Sequence, residues 1–129
     1  MTNELRSTFA RLPSARLRSV TKPTDGILVY SFDSTIYLMS GRRSVSRYLS
    51  NTPIRTEEWF PERVRRRSFE LLYLDVRAKP PAAFVTDFFW PWGIEPGQHG
   101  KNSLRFCGLD YDLVGVAGNL SVFRLSTRP

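Results

Sequence analysis

The segment Gly26-Ile27-Leu28-Val29-Tyr30-Ser31-Phe32-Asp33 constrains the fold of this chain more than any other stretch. Ile27 through Tyr30 are bulky or β-branched with no polar interruption, which reads as a buried strand. Turn chemistry precedes it in Pro23-Thr24-Asp25-Gly26. Asp33-Ser34 punctuates the run, and Ile36-Tyr37-Leu38-Met39 resumes it as a second short strand, so a hairpin or a sharp bend is expected here.

Further along, Gly41, Arg42, Arg43, Arg47 and Asn51-Thr52-Pro53 make a polar, basic stretch in which Ser44 to Leu49 has room for a helical turn or two. Thr56-Glu57-Glu58 supplies a capping residue before two acids, as a helix N-terminus prefers. Pro61 is tolerated only in a first turn, so a helix starts no earlier than about Trp59. Arg63, Arg65, Arg66 and Arg67 would then crowd every face of that helix, leaving Val64 and Phe69 as a weak apolar stripe. Glu70-Leu71-Leu72-Tyr73-Leu74-Asp75-Val76 reads as a strand buried on both faces, stopped by Lys79-Pro80-Pro81. Phe84 to Trp92 is the densest aromatic patch, and Gly93 to Asn102 has loop composition. Leu104 to Cys107 alternates like a strand. Tyr111 to Val116 and Leu120 to Leu125 flank Gly118-Asn119 as a hairpin.

At 129 residues the chain has the length of one domain, and 41% hydrophobic residues make it globular in composition. The fold class expected is α+β, with a small mixed sheet, one or two short helices and a C-terminal β-hairpin over residues 23–129. Residues 1–22 hold five basic side chains against Glu4 alone, and read as a basic tail or a possible transit peptide. Leu5, Phe9 and Leu12 fall on one face of a short helix, a pattern that Pro13 ends. No run approaches the ~18 apolar residues of a membrane-spanning helix.

The net charge of +7 is placed unevenly. Residues 1–67 carry 13 basic and 6 acidic side chains, whereas residues 68–129 balance. A one-sided basic field attracts nucleic acid, anionic lipid or acidic protein surfaces, and equally serves as a solvated face. One cysteine excludes an internal disulfide framework and one histidine excludes a His-rich metal site. Cys107 and His99 are formally a nucleophile and base, but a strand cysteine and a loop histidine are the simpler reading. Asp110 and Asp112, two apart on a strand, share a face without a third ligand at metal spacing. No phosphate loop, dinucleotide fingerprint or paired-cysteine zinc spacing is present, so neither catalysis nor a cofactor is expected.

The residues Ile27, Leu28, Val29, Tyr30, Phe32, Asp33, Ile36 and Tyr37 resemble the opening of the STAS domain that ends sulfate permeases of the SulP family. Leu71 to Asp75, and also Leu104 to Asp110, are similar to that family's next strand. Neither is followed by the family's Asp-Ser/Thr-Ser/Thr-Gly turn, so no functional residue is carried over. The resemblance implies a cytosolic, non-catalytic interaction module. The function expected is therefore binding of a protein partner through Phe88, Phe89, Trp90 and Trp92, in the cytoplasm. The alternative is a nucleic-acid-binding accessory protein, nuclear or mitochondrial, that uses Arg63, Arg65, Arg66 and Arg67 beside Trp59.

Overall fold

The structure is a computed structural model that describes residues 3–31, 35–48, 60–87, 93–97, 100 and 102–126, with side chains in the first helix from Leu12 onward. Among these residues the chain runs α1 (Asn3–Val20), β1 (Gly26–Tyr30), α2 (Thr35–Ser40), β2 (Arg43–Ser44), α3 (Glu62–Ala78) and β3 (Ala83–Thr86). Four strands follow: β4 (Ile94–Pro96), β5 (Ser103–Phe106), β6 (Leu109–Ala117) and β7 (Leu120–Leu125). They form one mixed sheet in the order β2-β1-β3-β7-β6-β5-β4. β1 is parallel to both β2 and β3, and every other pairing is antiparallel.

The chain steps from β1 outward to β2, then crosses back over β1 to β3. Right-handed crossovers in opposite directions put the connecting helices on opposite faces of the sheet. Alternate residues of β1 follow suit. Leu28 and Tyr30 pack with Leu72 and Val76 of α3 and with Phe84, Phe106, Tyr111 and Phe123. Ile27 and Val29 pack with Ile36 and Tyr37 of α2, Leu17 of α1, and Val85 and Val122. All five residues of β1 are buried, as a strand covered on both faces requires.

The α+β class and the C-terminal hairpin are what the chain adopts, with three helices among the described residues rather than one or two short ones. The hairpin closes through a two-residue loop whose Gly118 takes a positive φ of +61°. Four local expectations are corrected. Residues 3–20 are helical and not a tail, and the helix passes through Pro13. Leu17 is wholly buried, and Arg18 and Arg42 donate to the Met39 and Thr21 carbonyls, binding α1 to α2 against the loss of one helical hydrogen bond at Pro13. Ile36–Met39 is part of α2, not a strand. The Tyr37 hydroxyl accepts from the Val29 N–H at 2.8 Å, where β2 is too short to offer a carbonyl. Ser44 opens no helical turn: it ends β2.

The fourth correction concerns α3. Glu70–Val76 continues the helix, because Ser68, Leu72 and Val76 recur every fourth residue and face the core. Burying Leu72 and Val76 contributes about 2 kcal/mol each. Two contacts fix the helix in place. Asp75 accepts from the Arg47 backbone N–H at 3.0 Å, from Nε at 3.0 Å and from Nη2 at 2.8 Å. At the other end, the Phe69 ring lies on Gly93, whose φ is +79° and where a Cβ would come 2.7 Å from that ring.

Two predictions follow from these anchors. Gly93→Ala adds backbone strain to overpacking and is expected to destabilise the fold by about 2–4 kcal/mol; an unchanged urea midpoint would refute this. Hydrogen bonds from Arg47 hold the Asp75 carboxyl below its ordinary value of 3.8. A carboxyl depressed in the folded state stabilises above its unfolded value, and that contribution is lost as pH falls through the folded value. Denaturation midpoints measured from about pH 5 downward should therefore fall less steeply in Asp75→Asn than in the wild type. Equal slopes would count against the pair.

Candidate functional site

At about 100° per residue, a helix whose Ser68, Leu72 and Val76 face the core turns positions 63, 66, 67, 70, 73, 74 and 77 outward. Arg63, Arg66 and Arg67 are accordingly exposed, and so are Tyr73 (41%) and Leu74 (56%) further along. Arg65 falls on the inner flank and donates Nε to the Phe60 carbonyl at 3.2 Å. The arginines do not crowd every face: three share one and the fourth is part of the packing.

Two exposed glutamates flank these arginines. Arg66 pairs with Glu62 at 2.7 Å and Arg67 with Glu70 at 3.2 Å, and both pairs are open to solvent. Such pairs contribute roughly 0–1 kcal/mol, so a partner's carboxylate can displace either glutamate at little cost. Arg63 completes the group, which lines a shallow depression of about 350 Å³ with Glu62 and Glu70. The face thus offers forked donors beside an aromatic and an aliphatic side chain.

Trp59 and the aromatic set Phe88, Phe89, Trp90 and Trp92 lie outside the described residues, as does His99. Tyr73 and Leu74 were not legible as surface residues while their segment read as a strand. The four-residue spacing Val64, Ser68, Leu72, Val76 is the signal that turns them outward.

Cys107 follows β5 in a turn, at a positive φ of +52°, and is not within the strand. Burial pushes its thiol up to about 12, against a smaller opposing effect of Arg77. The Arg77 Nη1 donates to the Cys107 carbonyl at 3.4 Å. Asp110 is engaged by Arg105 across the β5–β6 pair at 3.2 Å. Among the described residues no group of three or more His, Cys, Asp or Glu is placed to hold a metal ion, and no helix is long and apolar enough to cross a membrane. A second concavity of about 370 Å³ opens beyond α3, lined by Ile94, Pro96, Leu104, Leu113 and Phe123 with Glu95 at its edge.

A thiol that is buried and protonated reacts slowly. Cys107 should resist a neutral thiol reagent in the native protein and label fully in denaturant; rapid native labelling would show an accessible thiolate instead. Comparison with protein-family models, with curated proteins and with solved structures returned no match.

Proposed function

We propose that the chain is a non-catalytic binding module that takes a protein partner with an acidic surface on the outer face of α3. The observation that carries this is the grouping of exposed Arg63, Arg66 and Arg67 with exposed Tyr73 and Leu74 on one helix whose opposite side is built into the core. Tyrosine and arginine are the residue types that dominate protein–protein hot spots. The helix is ordered before binding, so less conformational entropy is lost on association. The resemblance of residues 26–37 to the opening of a STAS domain points the same way, and the cytoplasm is the compartment it implies.

Against nucleic acid, Glu62 and Glu70 flank the arginines and lower the positive field that a phosphate track needs. A protein surface can meet both signs in place, its carboxylates on the arginines and its donors on the glutamates. The mixed charge therefore favours protein over the nucleic-acid alternative.

The test begins with a photo-crosslinking residue at position 74 in expressing cells, followed by reconstitution of the captured protein in purified form. Tyr73→Ala should weaken that binding by about 30-fold, equivalent to about 2 kcal/mol. Replacing Arg63, Arg66 and Arg67 by Gln should slow association and lessen its salt dependence. A purified partner indifferent to both variants would overturn the proposal. Binding of a single-stranded RNA with a log–log salt slope near −2, lost in the Gln variant, would replace it with the nucleic-acid reading, since three phosphate contacts give about that slope.

A further inference from the structure

The layer formed by α1 and α2, on the face of the sheet opposite α3, carries a different surface. Leu12 is 63% exposed and Leu38 is 85% exposed, each on the outer side of its helix, away from buried Leu17, Ile36 and Tyr37. Single exposed leucines are ordinary. These two stand among cations. In the described stretches 12–31 and 35–48, six basic residues face a single acid, Asp25. One oxygen of that acid already accepts from the Lys22 N–H at 2.8 Å. Arg47 is turned toward Asp75, and Arg43, in register with Gly26 and one residue from Ser44, faces the α3 side of the sheet, which leaves Arg16, Arg18, Lys22 and Arg42 to this layer. On α3 two glutamates pair with two of the three exposed arginines, whereas in the described stretches 12–31 and 35–48 Asp25 is the one acid.

The layer is also held rigid. Arg18 donates to the Met39 carbonyl at 2.6 Å, and Arg42 donates to the Thr21 hydroxyl at 2.9 Å. The Arg16 stem lies over Gly115 of β6, where a Cβ would come 3.2 Å from it. The two helices therefore present their leucines from one fixed platform.

We infer that the α1–α2 face docks on an anionic lipid surface, with Leu12 and Leu38 entering the headgroup–acyl boundary and the surrounding cations on lipid phosphates. Three features select this occupant. Charge complementarity is one-signed, as an anionic bilayer requires and a mixed protein surface does not. The two leucines are exposed one on each helix, and a lipid boundary accepts isolated leucines without shape complementarity. Both are aliphatic, whereas single-stranded nucleic acid is gripped by stacking on aromatic rings. This inference does not depend on the α3 reading.

The experiment is flotation of the full chain with vesicles of phosphatidylcholine alone and of phosphatidylcholine mixed with phosphatidylserine. The chain should float only with the mixed vesicles, and raising salt from ~0.1 M to ~0.5 M should release most of it. Leu38→Asp and Leu12→Asp should each lower partitioning about tenfold. Both should melt like the wild type, because neither leucine is in the core. A second variant, Lys22→Gln with Arg16→Gln, alters charge on this layer and should also float less. Replacement of Arg63, Arg66 and Arg67 by Gln should leave flotation unchanged, so a loss there would assign lipid binding to α3 and overturn the inference. It is equally overturned by no flotation, by equal flotation with neutral vesicles, or by leucine variants that float like the wild type. Those outcomes leave the proposed protein contact on α3 untouched.

Discussion

The pairing of β1 with strands on both sides and with helices on both faces is the constraint on which the rest of the structure depends. Five consecutive buried residues leave no solvent-facing side to the strand. Its backbone must therefore be satisfied by β2, β3 and, where β2 runs out, by the Tyr37 hydroxyl. A strand so enclosed needs two helical layers, and the reversal of crossover direction after β2 supplies them. The antiparallel strands β4 to β7 extend the sheet from β3 without altering this arrangement.

That enclosure also explains why some elements were legible in the sequence and others were not. β1 carries its signal in five adjacent residues, and the β6–β7 hairpin carries its own in Gly118-Asn119 between apolar runs; both signals are local. Leu71–Leu74 is apolar whether it faces a core on two sides or winds around a helix. Only the longer spacing through Ser68 decides, and a buried serine weakens that pattern. Ile36–Met39 has strand-like residues and becomes helical because Tyr37 reaches back to cap β1, a tertiary preference that local propensity does not contain. α1 was hidden more deeply: its arginines and Pro13 argue against a helix, and the opposing terms are Leu17 in the core and the bonds to Met39 and Thr21.

The site was legible in composition but not in geometry. Arg63, Arg66 and Arg67 stood out at once as a basic cluster, while the distinction between them and Arg65 depends on which side of α3 meets the core. Tyr73 and Leu74 changed meaning entirely with the element that holds them. Phe69 on Gly93 and Asp75 with Arg47 set that element's rotation, so residues far from the surface in chemical character decide what the surface displays.

The two helical layers differ in how charge is arranged rather than in how much they hold. On α3 each pair of opposite charges lies one turn apart, which lowers the local field and leaves donors that a partner's carboxylates can take over by exchange. Around α1 and α2 the cations Arg16, Arg18, Lys22 and Arg42 meet Asp25 as the one acid of the described stretches 12–31 and 35–48, so their fields add. A field of exchangeable pairs discriminates among partners by geometry, because each pair must be matched in place. A one-signed patch discriminates only by the sign of what approaches, and its reach shrinks as salt rises. The sheet between them, closed on both faces by the demands of β1, keeps these two arrangements of charge on opposite sides.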